Sequence, residues 1–519
     1  MPIIPAGSLN TTALVVPNIY VQIVPPQPAL NGVPSNVIGV VGTAAWGPVD
    51  VPTNFGSYAE FQGLFGPLQN ALFDMGTAVA VATLQNANAF YGVRVTDGTD
   101  VKASANVGTS PFDITYTALY SGTTGNSINV VLSPSGASAS SWNVNIINTT
   151  LNANELFTNI SGSGATFWSN LAAAINNGQG TFRGPSQLIT ATAGTGVTAP
   201  TAGTTTLTGG TNGTTSVTIT TLIGVNTTPR TGMYTLANQG VSILLLADGT
   251  DSTHWSVIDQ FASSIGAYNM VALPASTSIS AAVTAVQAAA LDSYCTKIMQ
   301  GDWLYWYDQV NQLTRLVSPA SFAAGMFGAL NPSQSGLNKQ IYGVVGSQTQ
   351  GQVGTPQAHT YSSSDLSTLF SAGIDVISTP SPGGAYWSML GGINSSLNAA
   401  ENGDNYTTMT NYLAKTLNAG MGQFVGRVIT NSMDQEAVAT ISSFLSNMWQ
   451  QGLLGSASGP PPFTVQGGLG NAINPQSRTA LGYYQINVNV TYAPINRFFI
   501  VNLQGGQTVV TSQSNLSPV

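Results

Sequence analysis

Charge is what this 519-residue chain lacks most: Asp, Glu, Lys and Arg make up only 6% of it, against the ~25% usual in soluble domains. With 43% hydrophobic residues, that shortage excludes an intrinsically disordered chain, whose balance is the reverse. Ser, Thr, Asn, Gln and Gly must cover the surface instead. Such a surface repels its own copies weakly and is cheaply desolvated, which suits a subunit of something large. The few charges lean acidic, 11 Lys plus Arg against 19 Asp plus Glu. The basic residues stand singly from Arg94 to Arg497. Nucleic-acid binding by counterion release needs clustered cations, so no direct nucleic-acid partner is expected.

Reactive side chains are equally scarce. One cysteine, Cys295, excludes an intrachain disulfide and a Cys-based zinc site, and reads as a small buried hydrophobe. The two histidines, His254 and His359, lie about a hundred residues apart, and no HExxH is present. A G-x-S-x-G elbow, a phosphate-binding P-loop and a G-x-G-x-x-G after a strand are all missing. Hence no catalytic residue, cofactor or metal is expected. The single place worth testing for catalysis is ADGTDSTHW, where Asp248, Asp251 and His254 follow a strand, the position at which α/β proteins bind ligands. No nucleophile accompanies the histidine there, and a loop leading into a helix explains the residues as well. The aromatic run DWLYWYDQ, with Trp303, Tyr305, Trp306 and Tyr307, reads as core or subunit packing. No apolar run reaches the 18 residues of a membrane span, and the N-terminus has no signal-peptide pattern. Synthesis in a cytoplasm without membrane insertion is the expectation.

What is present is length enough for several domains. Residues 1–30 read as an extended arm: Pro17, Pro25, Pro26 and Pro28 bracket one short β-prone run. Residues 31–99 open an α/β core, with strands at 36–43 and 89–95 around a helix at 71–87. Residues 100–229, rich in Ser, Thr and Gly, read as a β-rich insertion domain with strands at 127–132 and 142–147. Residues 230–395 return to strand–helix alternation: strands at 241–247, 269–273 and 296–300, and helices at 253–265 and 279–291. Two successive βαβ units imply a parallel sheet with right-handed crossovers. The first of those helices takes Ser252 or Thr253 as its N-cap.

Residues 396–484 hold two helices. One, over 405–419, should stop at Gly420. The other should start at Ser432 with a capping box to Gln435, presenting Val438, Ile441, Leu445 and Met448 on one face. GPPPF at 459–463 is a rigid break. Residues 485–519 are strand-like: Ile486, Val488 and Val490 alternate with polar neighbours. The run RFFIVNL (497–503) follows as the second half of a hairpin or strand pair.

Several segments in order resemble the contractile phage tail sheath family. They are PNIYVQIVPP, then NVIGVVGTAAWGPVDVPTNFGSYAEFQGLFG (36–66), ALYSGTTGNSINVVL (118–132), LTGGTNG (207–213) and LLLADG (244–249). The C-terminal stretch NPQSRTALGYYQINVNVTYAPINRFFIVNLQGGQTVV (474–510) completes the set. Asp248-Gly249 departs from the Pro-Gly of many members. The resemblance implies a multidomain α/β plus β architecture: a subtilisin-like α/β domain in fold only, a β-rich insertion domain, and a C-terminal α+β domain with strand-exchange arms. It implies a homo-oligomer of six-fold rings stacked into a helical sheath around a tail tube protein, joined to baseplate and tail terminator proteins. It places that sheath in a virion whose contraction drives the tube through a host envelope. By the same analogy, arms of neighbouring subunits add strands to a C-terminal sheet. The residues expected in that exchange are Tyr20, Val21, Ile23, Val24, Ile486, Val488, Val490, Phe498, Ile500 and Leu503. Hinges are expected at Pro25–Pro28 and in the GPPP stretch. Competing readings are the sheath of a bacteriocin or prophage particle, a tail tube protein, a tail-borne hydrolase and a secreted adhesin. Length disfavours the tube, sparse acids the hydrolase, and the absent export pattern the adhesin.

Overall fold

Seven strands form the sheet from which the rest of the chain is hung. They are β1 (Ile38–Gly42), β2 (Thr53–Phe55), β3 (Phe90–Arg94), β4 (Ile243–Leu246), β5 (Tyr268–Ala272), β6 (Thr296–Met299) and β7 (Ile374–Asp375). Their order is β7-β6-β5-β4-β1-β3-β2, parallel throughout except for the antiparallel edge strand β2. The computed structural model describes residues 3–4, 21–22, 30–138, 140–181, 183–352, 360–455, 459–501 and 503. Strands of a parallel sheet covered on both faces read as unbroken apolar runs. IGVVG in β1 and ILLL in β4 are such runs, and every residue in them is buried. Neighbouring residues point to opposite faces. Val40, Leu245 and Met270 therefore belong to one hydrophobic cluster, and Val41, Leu244 and Val271 to the other.

The first cluster is closed by two helices, Met75–Leu84 and Pro319–Ala329. Both are apolar on all sides, as a helix enclosed by its neighbours must be. Asp74 caps one, accepting from the Thr77 amide at 2.8 Å; Ser318 caps the other, with Pro319 in its first turn. They meet at small residues: a Cβ on Gly325 would lie 2.5 Å from the Ala82 Cα. The helices Trp255–Ser264 and Ile279–Ala289 pack on the second cluster.

Between β3 and β4 the chain leaves the sheet. It forms a four-stranded antiparallel sheet, a three-stranded one, and the helix Gly164–Asn177, which share a cluster of their own. The excursion begins and ends at one place, where the Asp97 amide donates to the Gly213 carbonyl at 2.8 Å. Two core residues hold it. Trp46 meets Tyr120 edge-on, and the fully buried Arg94 donates from Nη1 to the carbonyls of Gly47 and Ser121, both at 2.7 Å.

Helices Asp404–Met421 and Asn431–Gln450 form a fourth cluster with the antiparallel strands Phe463–Gln466 and Asn487–Val490. Three expectations are corrected here. The first helix runs through Gly420 and ends at Gly422. Gly420 leaves room for Leu30, whose Cδ1 lies 1.7 Å from where a Cβ would stand. The second helix is capped by Thr430, which accepts from the Met433 amide at 3.2 Å. The described residues of the segment 497–503 form no strand; Phe463–Gln466 has taken the place beside Asn487–Val490. Earlier in the chain, neither Ser252 nor Thr253 caps the 255–264 helix: Asp251, accepting from the Thr253 amide at 3.0 Å, caps a single tight turn, Ser252–His254, that leads into it.

Candidate assembly interface

Part of the scarce charge lies inside: Asp74, Arg94, Asp113, Glu155, Lys297, Asp302, Asp308, Asp375 and Asp404 are all buried. The densest group lies on β6, where the lone lysine of TKIM enters the core. Lys297 donates to Asp375 at 2.6 Å, to the Ile393 carbonyl at 2.8 Å and to Asp404 at 3.0 Å. Burial alone would lower the Lys297 pKa, but Asp375 and Asp404 outweigh it and hold the ammonium above its ordinary value. The remaining carboxylate oxygens are satisfied. Tyr268 and Ser335 donate to Asp404 at 2.7 and 3.1 Å, and the amides of Val376, Gly391 and Gly392 donate to Asp375. A lysine so enclosed offers nothing to a substrate. Asp404 opens the helix Asp404–Met421, so the group fastens the helical unit to the central sheet.

The structure separates the residues suspected of catalysis. Asp251 pairs with the His254 Nδ1 at 3.0 Å on the surface. Asp248 instead accepts from the Phe73 amide at 3.3 Å, beside Asp74. Burial pushes the Asp248 carboxyl up to about 7, with the Asp74 charge adding to it, and pushes Asp74 up to about 6. Trp303 and Trp306 are buried in the core, while Tyr307 is exposed. Among the described residues no group of three His, Cys, Asp or Glu side chains could hold a metal, and no helix is long and apolar enough to cross a membrane.

The ten residues expected in strand exchange fall into three sets. Ile486, Val488 and Val490 lie on one face, packed on the helical cluster, and Ile486 and Val488 line an apolar groove of about 850 Å³ shared with the 424–429 loop. Phe498, Ile500 and Leu503 are 83%, 81% and 91% exposed, and no hydrogen bond links them to the rest of the chain among the described residues. Val21 is in a two-residue strand, Val21–Gln22, paired in parallel with Ile3–Ile4 of the same chain. Tyr20, Ile23 and Val24 lie outside the described residues.

No family model matches this chain, and no curated protein matches it. Solved structures do. A sheath tail protein of Desulfitobacterium hafniense aligns with 87% of this chain and 93% of its own, with a TM-score of 0.58 at 13% identity. For a sheath tail protein of Listeria innocua the shares are 84% and 89%, with a TM-score of 0.59 at 12% identity. The contracted sheath complex of an extracellular contractile injection system, PVC, aligns over 96% and 99%, with a TM-score of 0.54 at 12% identity. The mixed α/β, multi-sheet fold seen here is that of tail sheath proteins. The resemblance drawn from the sequence motifs is met at the level of fold along most of the chain.

Proposed function

We propose that this chain is the structural, non-enzymatic subunit of a contractile tail sheath. It polymerises as stacked six-fold rings around a tail tube, seated on a baseplate and closed by a terminator, and shortens to drive the tube through a host envelope. One observation carries the reading: Phe498, Phe499, Ile500, Val501 and Leu503 stand uncovered by their own subunit, a few residues after a two-stranded sheet, Phe463–Gln466 with Asn487–Val490. Main-chain pairing with another copy would satisfy both. About five backbone hydrogen bonds at ~0.5–1.5 kcal/mol net each give several kcal/mol per joint, repeated along the lattice.

In this reading residues 31–99 and 230–395 form the subtilisin-like core, 100–229 the outward insertion, and 396–484 the unit that receives strands. Residues 1–30 are the N-terminal arm, and 485–519 the C-terminal strands and arm. Contraction is then rigid-body movement between two packings, the extended one metastable, while the strand joints persist. The particle is a phage tail in the first instance. The sheath of a related injection particle is the second reading, favoured by the nearly full-length likeness to the PVC sheath.

Two truncations test the proposal, one removing residues 1–24 and one ending the chain at Arg497. The full chain should form tubes with transverse striations in negative stain, and each truncation should abolish them. Normal tubes from a truncated chain would refute the role of that arm.

A further inference from the structure

We propose that Arg497 is the positioning residue of the C-terminal arm, clamping its base to the buried charge group so that the chain becomes free only beyond it. This inference rests on the sheath reading and adds to it a fixed point of departure.

Three observations converge. Arg497 is the last described residue joined to its own subunit by a hydrogen bond: Nη1 donates to the Asn402 Oδ1 at 3.1 Å and Nη2 to the Gly392 carbonyl at 3.1 Å. From Phe498 onward every described side chain is at least two-thirds exposed. The transition from bound to free chain therefore falls at one residue.

The second observation is what Gly392 is fixed to. Its carbonyl also accepts from the Asp404 amide at 3.2 Å, and its amide donates to Asp375 at 3.0 Å. Asp375 and Asp404 are the two carboxylates that hold Lys297. Gly392 sits at φ +61, and a Cβ there would lie 2.8 Å from Leu337 and 2.9 Å from the Ser335 hydroxyl. Only glycine is accommodated, and the carbonyl that receives Arg497 has little freedom to turn.

The third is the shape of the contact. A planar guanidinium that donates through two nitrogens to two acceptors fixes orientation as well as distance; an ammonium fixes neither as well. Arg497 therefore sets the direction in which the segment leaves. Any flexing of the arm during contraction is assigned to residues beyond 497, and the stretch from Val490 to Arg497 moves with the core.

The test uses the full-length chain with Arg497→Ala and Arg497→Lys. In the unpolymerised subunit, Arg497→Ala should shift the unfolding midpoint by no more than about 2 °C. It should speed amide exchange in residues 491–501 and at Gly392. Tube formation, read as the critical concentration by sedimentation, should weaken about tenfold, equivalent to ~1.4 kcal/mol per subunit. Arg497→Lys should lie between the two. A purely structural role would move midpoint and polymerisation together, which would overturn the proposal. Unchanged exchange in Arg497→Ala would overturn it as well. Failure of the unaltered chain to form tubes would count against the sheath reading instead, with the exchange measurement still deciding the clamp.

Discussion

Lys297 and Asp375 face each other at 2.6 Å with neither side chain reached by solvent. With Asp404 completing the group, this is where the central sheet, the 391–393 turn and the first C-terminal helix are joined. Removing one partner of a buried ion pair leaves an uncompensated charge, at a cost of about 3–5 kcal/mol. Lys297→Met should therefore cause a loss of that size in urea unfolding. Adding Asp375→Asn and Asp404→Asn should recover part of it, since the stranded charges are then gone. If Lys297→Met alone unfolds at the original urea concentration, the group does not fasten the two units.

A second buried group gives a pH dependence of definite sign. The Asp248 and Asp74 carboxyls are held up at about 7 and about 6. Around them stand Arg315, Asp308 and the Tyr58 hydroxyl, so carboxylates outnumber the only cation named. The Asp74 Oδ1 is buried without a hydrogen-bond partner. In the unfolded chain both acids titrate near 4. The folded state thus holds the extra protons between roughly pH 4 and 7, and stability falls as pH rises through that window. Asp248→Asn removes one of the two charges. Asparagine tolerates the positive φ of 50° at this position and can still accept from Phe73. The variant should gain about 1–3 kcal/mol over the parent at pH 8, and little at pH 5. Equal gains at both pH values would refute the assignment.

How much of this was legible depended on what kind of signal each feature leaves. Buried parallel strands announce themselves as IGVVG and ILLL, and β1, β3, β4, β5 and β6 overlap the ranges read from them. The apolar face of 486–490 was equally plain, because alternation fixes which side is buried. It does not fix the neighbour, and the strand paired with Phe463–Gln466 instead of with 497–503. Helix caps were misplaced by a few residues because Ser, Thr and Asp are so dense that several positions offer a side-chain acceptor. Thr430 and Asp251 won by position, not by type. Lys297 and Arg94 belong to the basic residues that stand singly along the sequence. Their signal was a single basic residue within an apolar strand of a chain nearly devoid of charge, TKIM in one case and FYGVR in the other.

Arg94 makes a prediction about the insertion. Its guanidinium is pulled down to about 10 by burial and depends on the insertion's Ser121 and Asn212 carbonyls for two of its contacts. Asp97 and Gly213 already touch, so a short turn replacing residues 99–212 closes the gap with little loop entropy. The excised chain should fold, but with a loss of about 1–3 kcal/mol for each hydrogen-bonding group left buried and unmet. Combining the excision with Arg94→Met should restore stability. Excision that abolishes cooperative urea unfolding in both forms would mean that the core cannot stand without the insertion.

The exposed arm allows a test of how it docks, and not merely of whether it docks. Phe498 and Ile500 alternate with Phe499 and Val501, and all four are 69–83% exposed in the isolated subunit. The folded monomer therefore gives no reason for one pair to matter more than the other. A strand added to a sheet places alternate residues on opposite faces, and only one face can be pressed on the helical cluster of the receiving subunit. Burial of one large apolar side chain contributes about 1.5–3 kcal/mol. Of the two double variants, Phe498→Ser with Ile500→Ser and Phe499→Ser with Val501→Ser, one should thus remove several kcal/mol from each joint and prevent tube assembly, whereas the other should raise the critical concentration only modestly. Thermal unfolding of the monomer should be the same for both double variants, because neither pair is packed there. Equal damage from the two pairs would rule out docking as a one-faced strand and favour an arm enclosed on all sides.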